Sequence, residues 1–312
     1  MNPLLEIYPP ACLLLIGPQV AAEQLQTWRS TQKIASKGAC APYSYRAIVE
    51  AGIQAACEIL PPNASERERK KRKRLLKDAY ERDPTLAADK VVEILKQQGC
   101  YLEWLQKTFA FGEPATPAAT SCVANPTLQH LLQLQSQGAL LACTQYDLSL
   151  DSAANTTPIL MRDHEAVQKW ADREIIGFLH LHGVFSQPSS VQLSSDNYAQ
   201  YLTESYPAFD TLRAVFRKRT LIFVGYDGNY FNPLIFNLLK VVFPDDSTLR
   251  NPPILLTCDP PSPQAALASF LLFRVSKKEL LQLEDSISPG SEKNFAIGER
   301  GMIKYTNSLG AN

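Results

Sequence analysis

The sequence predicts an α/β protein with a Rossmann-like, doubly wound and mainly parallel sheet that carries a helical insertion after the first strand. Short apolar runs rich in β-forming residues recur along the chain, at 11–17, 139–145, 175–183, 220–226 and 253–258. Segments with helical spacing of apolar residues lie between several of these runs. Strands that alternate with helices are typical of parallel sheets covered on both faces.

The composition is that of a folded protein with a substantial core. The 312 residues are 45% hydrophobic and 20% charged. Lysine plus arginine and aspartate plus glutamate each number 31, so no net charge attracts nucleic acid, and we expect no such partner. The apolar run at 11–16 follows no basic residue, and no stretch approaches the roughly 20 apolar residues of a membrane span. We therefore expect no signal peptide, no membrane contact and a cytoplasmic location.

The interval between the first two strands is much longer than a crossover helix requires. It extends from about residue 17 to residue 139. Its sequence predicts three helices, at 43–60, 65–81 and 84–109. A segment rich in proline, alanine and threonine at 112–121 then leads back to the sheet. We predict a single domain over 1–312 that contains a helical insertion over 40–120.

Two later segments are predicted to be helices that cross between strands. Leucines with helical spacing precede Gly138, and a similar apolar pattern containing Leu212 and Phe216 precedes Arg217. Each pattern ends shortly before an apolar run assigned to a strand. This alternation is what a doubly wound sheet requires.

A basic run within the insertion has two interpretations. Residues 66–74 read ERERKKRKR and contain seven basic side chains. Charges on every face of a helix indicate a fully solvated helix, and we favour this interpretation. The alternative is a nuclear-import or nucleic-acid patch, so a nuclear location stays open because of residues 67–74.

Polar and glycine residues follow four of the predicted strands. In a doubly wound sheet, ligands bind outside the carboxyl ends of the strands, so these segments are where chemistry is expected. The four strand ends are GPQVA at 17–21, CTQYD at 143–147, HLHG at 180–183 and GYD at 225–227.

In this order, with a helical insertion after the first, the four strand ends resemble the sirtuin-like family, whose core is a Rossmann-type NAD-binding domain. The family's GAGxS turn corresponds to residues 17–21, its TxNxD strand end to 143–147, and its later glycine-rich strand end to 225–227. Its catalytic HG pair corresponds to His182 and Gly183. The following sequence, GVFSQPSSVQLSSDNYAQYL, also resembles small non-deacetylase members that self-assemble.

The resemblance implies that the chain binds NAD and, if active, hydrolyses it to ADP-ribose and nicotinamide. It implies His182 as general base, Gln145 in place of the family's asparagine, and Asp147 near the ribose. It also implies self-association into a homo-oligomer. The residues implied in NAD contact are Gly17, Gln19, Thr144, Gly183, Gly225 and Tyr226.

The residues themselves give His182 a chemical role. Positions 180 and 182 of a strand face the same side, and Gly183 allows close approach of a ligand to the backbone. Cleavage of nicotinamide from ribose builds positive charge on the sugar, and a neutral imidazole accepts a proton from a ribose hydroxyl or a water molecule as that charge develops. The alternative is a histidine satisfied by backbone groups at a strand end. His180 is expected to pack or to support His182.

Two of the four strand ends depart from the family pattern. Gln145 keeps an amide but moves it one methylene outward, which affects catalytic positioning. Pro18 removes an amide donor from the first turn, where a pyrophosphate would lie. Asp147 keeps the carboxylate, with a helix-capping role as an equal alternative to the ribose contact. The rival hypothesis is therefore a catalytically degenerate scaffold that acts through oligomerisation or partner binding.

The cysteine and histidine patterns argue against a metal. The seven cysteines lie at least 17 positions apart, so no CxxC zinc site exists and a zinc-dependent deacylase is not expected. His180 and His182 alone supply too few ligands. A Cys143–His182 hydrolase is a less favoured alternative, because cysteine is more often a small buried hydrophobic residue.

Overall fold

The fold is described here from a computed structural model. The described residues are 9–18, 20–21, 45–60, 64–110, 126–195, 198–199, 207–225, 234–235 and 238, with the strands 254–257, 271–274, 295–297 and 303–305. The predicted segment at 112–121 lies outside these residues.

A parallel sheet of seven strands forms the centre of the protein. The strands are β1 (Cys12–Ile16), β2 (Leu140–Cys143), β3 (Ile159–Leu160), β4 (Phe178–His180), β5 (Thr220–Val224), β6 (Ile254–Thr257) and β7 (Leu271–Arg274). Their order is β3-β4-β2-β1-β5-β6-β7, and every neighbouring pair is parallel. The predicted Rossmann-like, doubly wound sheet is confirmed.

The central strand β1 is buried on both faces, as a parallel sheet requires. Leu13 and Leu15 belong to one hydrophobic cluster, while Leu14 and Ile16 belong to a second cluster on the opposite face. Strand β2 lies on one side of β1 and β5 on the other, so the chain reverses its direction of winding at β1. A crevice at such a reversal is where doubly wound proteins bind ligands.

The described part of the predicted insertion, which follows β1, contains four helices. They are α1 (Tyr45–Glu58), α2 (Glu66–Arg82), α3 (Pro84–Gln97) and α4 (Tyr101–Ala110). Buried residues of α1, α3 and α4 share a hydrophobic cluster with Leu13 and Leu15 of the sheet. The helical insertion is therefore packed directly against one face of the sheet.

The prediction of one helix over 84–109 is wrong, because the chain forms two helices there. Gly99 takes a left-handed conformation with φ +69°. Its N–H donates to the carbonyl of Lys96, and the N–H of Cys100 donates to the carbonyl of Leu95, each at 3.0 Å. This pair of hydrogen bonds is a Schellman motif, which ends a helix after its last turn.

The basic run lies on an exposed helix, in agreement with the solvated interpretation. Helix α2 begins with a capping box in which Ser65 and Glu68 bond to each other's backbone N–H groups. Only Leu76 and Ala79 of this helix are buried. Seven of the nine charged residues at 66–74 are exposed, whereas Arg69 and Arg72 are partly buried.

Of the remaining helices, the first leads from the insertion into β2 and the other three connect β2, β3, β4 and β5 in turn. They are α5 (Pro126–Ser136), α6 (Ser149–Ala154), α7 (His164–Ala171) and α8 (Pro207–Lys218). The helices predicted before Gly138 and Arg217 correspond to α5 and α8. A separate antiparallel pair, β8 (Phe295–Ile297) and β9 (Ile303–Tyr305), follows the sheet. Within the described ranges, no helix is long and apolar enough to cross a membrane.

Candidate functional site

Backbone hydrogen bonds continue past the last residues of the central strands and hold their carboxyl ends together. The N–H of Gly17 donates to the carbonyl of Val224 at 2.8 Å, and that of Thr144 donates to Ile16 at 3.2 Å. The N–H of Leu181 donates to the carbonyl of Cys143 at 2.9 Å. The strand ends singled out in the sequence therefore meet at one edge of the sheet.

His182 lies just beyond β4 and is completely buried. Its Nδ1 lies 3.3 Å from the carbonyl oxygen of Thr144, which can only accept a hydrogen bond, so Nδ1 carries the proton. The ring of Tyr198 meets the imidazole edge-on with centroids 5.2 Å apart, and Tyr146 lies on another side at 6.1 Å. Burial lowers the pKa of His182 to about 3, against the smaller opposing effect of the Thr144 hydrogen bond. The imidazole is therefore neutral near pH 7.

The backbone of Gly183 is approached closely by another part of the chain. Gly183 has φ +79°, and a Cβ built on it would lie 2.1 Å from the carbonyl oxygen of Ser190. The Ser190 hydroxyl accepts a hydrogen bond from the N–H of Val184 and lies 2.7 Å from the carbonyl oxygen of Gln187. The sequence predicts close approach of a ligand at this glycine, whereas the observed close approach is made by the following loop.

Gln145 follows β2 and is completely buried. Neither its side-chain oxygen nor its side-chain nitrogen has a hydrogen-bond partner among the described residues. Such an amide is costly to bury, so it is expected to meet a polar group that the described chain does not supply. The observation fits a polar ligand beside Gln145.

Asp147 lies one residue before the cap position of α6, which Leu148 occupies without a side-chain capping hydrogen bond, so the predicted capping role is not seen. Its Oδ1 accepts a hydrogen bond of 2.8 Å from the N–H of Ser149, the first residue of α6. Burial raises the pKa of Asp147, although its hydrogen bonds to Ser149 and the nearby His180 act in the opposite direction. The ribose contact stays a prediction.

The structure adds Asp151, which the sequence analysis did not single out. Its Oδ2 lies 2.9 Å from Nε2 of His180, and the side chains are 3% and 0% exposed. A detectable signal exists in the sequence: Asp151 stands one helical turn after Asp147, on the side of α6 that faces the strand ends. Cys143 pairs with His180 across β2 and β4. Burial raises the pKa of the Cys143 thiol, which disfavours a nucleophilic role.

The first turn begins a helix immediately after Gly17. Pro18 is already helical, and proline suits the first turn of a helix. Gly225, after β5, has φ +73°, as expected for a turn that only glycine adopts readily. The predicted NAD contacts Gln19 and Tyr226 lie outside the described residues.

The insertion is bonded to the loop that follows His182. The N–H of Ser195 donates to Oδ1 of Asp89 in α3 at 2.6 Å, and the Tyr45 hydroxyl in α1 donates to the carbonyl of Leu193 at 2.8 Å. In turn, the N–H of Gln192 donates to the carbonyl of His182 at 2.9 Å. The helices of the insertion therefore help to fix the position of His182.

This architecture defines a Rossmann-like α/β protein whose polar residues gather at the carboxyl edge of a parallel sheet. Residues 140–269 match the family model of the SIR2-like domain. The match includes the strand ends at 143–147, 180–183 and 225–227, and it confirms the sirtuin-like assignment made from the sequence. The class implies binding of an NAD-type ligand. Among the described residues, no group of three or more His, Cys, Asp or Glu side chains is arranged to hold a metal ion.

The lowered pKa of His182 makes stability depend on pH. An unfolded histidine has a pKa of 6.5, so below that pH the unfolded chain binds a proton that the folded chain does not accept until about pH 3. The free energy of unfolding should therefore fall as pH falls through this window, by about 2 kcal/mol at pH 5 for this residue. Urea denaturation of wild type and His182→Gln at pH 7 and pH 5 measures the difference.

His182→Gln should lose the part of the wild-type pH dependence that the buried imidazole contributes. Equal pH dependence in wild type and His182→Gln would contradict the assigned burial of a neutral imidazole.

Proposed function

We propose that this protein binds NAD at the carboxyl edge of its sheet and hydrolyses it to ADP-ribose and nicotinamide. The observation that carries the proposal is the orientation of His182. The carbonyl of Thr144 holds the proton on Nδ1, and burial keeps the ring neutral, so Nε2 bears the basic lone pair. A general base must be neutral with a fixed tautomer, as this ring is. A pKa of about 3 makes it a weak base near pH 7 in the ligand-free protein, so the role requires that bound NAD raise the pKa of His182.

The reaction breaks the bond between the ribose carbon and the nicotinamide nitrogen, whose electron pair leaves with nicotinamide. A water molecule then forms a new bond to the ribose carbon and loses a proton to Nε2 of His182, which later releases it to solvent. The Gln145 amide would orient the water or a ribose hydroxyl by hydrogen bonding. The Asp147 oxygen that does not bond to the N–H of Ser149 would lie near the ribose.

The surroundings of Gln145 support a polar ligand at this edge. Its two buried amide atoms lack partners among the described residues, and an NAD ribose with its hydroxyl groups would supply both donors and acceptors. The turn after Gly17 is less favourable, since Pro18 has no N–H to offer a pyrophosphate. Binding would therefore depend more on the ribose side of the site than on the first turn.

Ligand binding is tested by thermal unfolding in the presence of NAD, ADP-ribose or neither. A ligand that binds only the folded state raises the melting temperature in proportion to the logarithm of its concentration above the Kd. We expect an increase of several degrees with millimolar NAD or ADP-ribose, and none with nicotinamide alone. No change with either dinucleotide would argue against the proposed function.

The alternative function is a sirtuin-like scaffold that acts through oligomerisation or partner binding. The complete burial of His182 against Tyr146 and Tyr198 favours it, since a ligand would have to reach a ring already surrounded by aromatic side chains. The scaffold would leave the melting temperature unchanged by NAD. It would also give a light-scattering mass that is a multiple of the 34.7 kDa chain.

A further inference from the structure

His180 and Asp151 form a buried pair directly behind Gln145. Nε2 of His180 lies 2.9 Å from Oδ2 of Asp151, and Nδ1 lies 3.3 Å from the backbone carbonyl oxygen of Gln145. Three separate elements therefore meet at one imidazole: strand β4, helix α6 and the segment after β2. All three residues are almost completely buried.

Both ring nitrogens of His180 face oxygens that accept hydrogen bonds. A carboxylate and a carbonyl cannot donate, so both contacts are satisfied together only when the ring carries two protons and a positive charge. The titratable groups that face this ring are Asp151 on α6, Cys143 on β2 and Asp147 at the start of α6. Burial disfavours the charged ring, but the hydrogen-bonded carboxylate of Asp151 opposes this, and the pKa of His180 lies well above its ordinary value.

We propose that His180 and Asp151 are a positioning pair that anchors the backbone of Gln145 and thereby directs its side-chain amide toward the substrate. Gln145 has one more rotatable bond than the asparagine expected here, so its amide is harder to hold in one place. The hydrogen bond from Nδ1 of His180 to the backbone carbonyl of Gln145 fixes the point from which that longer side chain extends. The inference rests on the proposed hydrolysis of NAD.

The test uses three substitutions in the full-length chain. Asp151→Ala removes the partner of His180 and should lower kcat for nicotinamide release about tenfold to a hundredfold, with KM changed less than threefold. Asp151→Asn keeps the shape and allows a neutral ring to retain both contacts, so it should recover most of this loss. Asp172→Asn, at an exposed position, is the matched control and should leave kcat unchanged.

Two readouts separate positioning from a merely structural role. In wild type, kcat should fall at alkaline pH as His180 loses its second proton, whereas Asp151→Asn should lack this fall. If the pair acts through Gln145, adding Asp151→Ala to Gln145→Ala should cause no further loss of kcat. The proposal would be overturned if Asp151→Ala and Gln145→Ala lowered kcat independently, so that their effects multiplied in the double variant. It would also be overturned if kcat of Asp151→Asn fell at alkaline pH as it does in wild type.

A measurement without substrate keeps this inference distinct from the proposed function. Nitrogen-15 NMR reports the charge of the His180 ring and the environment of the Gln145 side-chain amide. We expect a doubly protonated ring at pH 7 and a shifted Gln145 amide resonance in Asp151→Ala but not in Asp172→Asn. A neutral ring, or an unmoved Gln145 resonance, would overturn the positioning pair, whereas absent NAD cleavage with these NMR results would overturn only the hydrolase.

Discussion

Replacing His182 with alanine is expected to lower the rate of nicotinamide release from NAD by about 10²- to 10⁴-fold, the range contributed by a positioned general base. The substitution removes the only lone pair that the Thr144 hydrogen bond leaves on the ring. It leaves the other strand ends in place. The measurement is the initial rate of nicotinamide formation at saturating NAD.

Two further variants make the result interpretable. His164→Ala, at an exposed position of α7, should retain the wild-type rate. His182→Gln retains polar atoms beside Thr144 and should stay folded while remaining inactive. It therefore separates loss of the base from collapse of the space that His182→Ala would leave between Tyr146 and Tyr198. Undiminished release in either His182 variant would remove this residue from the mechanism.

Gly183→Ala should destabilise the protein by about 3 kcal/mol or more, combining a left-handed backbone cost with a backbone collision. The added Cβ would lie 2.1 Å from the carbonyl oxygen of Ser190 and 2.3 Å from its carbonyl carbon. Backbone atoms cannot move aside as a flexible side chain can, so the loop after His182 would have to shift. Urea denaturation measures the change in the free energy of unfolding.

Gly99 offers a matched control for Gly183. It also has a positive φ, +69°, but nothing lies within 4 Å of an added Cβ. Gly99→Ala should therefore cost only the left-handed backbone preference, about 1 to 2 kcal/mol. Equal destabilisation by the two substitutions would mean that the loop at Ser190 shifts away from the added Cβ without lowering the free energy of unfolding.

The sequence predicts the sheet well because each central strand is buried on both faces and reads as a continuous apolar run. The four strand ends are found by the same reasoning, since glycine, histidine and acid residues interrupt those runs. Their meeting at one edge follows from parallel pairing alone. Short edge strands such as β3 carry too few apolar residues to stand out.

The remaining features depend on contacts between distant parts of the chain. The approach of Ser190 to Gly183 is a property of loop geometry, so residue types do not reveal whether the neighbour of a glycine is a ligand or the chain itself. The position of Asp151 one helical turn after Asp147 marks it as a candidate, but its contact with His180 depends on how α6 packs against β4. The break at Gly99 was open to prediction, because a glycine followed by a new apolar pattern is typical of a helix end.

The bond between Asp89 and the N–H of Ser195 limits how this protein can be shortened. A variant with residues 40–120 excised would lose both Asp89 and Tyr45, which hold the segment whose backbone in turn bonds to His182. Segment 191–195 would then have buried backbone groups without acceptors or donors, and the imidazole would lose its support. A shortened variant that keeps His182 in place must therefore keep the helices that carry Tyr45 and Asp89, although these lie about 90 or more residues earlier in the chain.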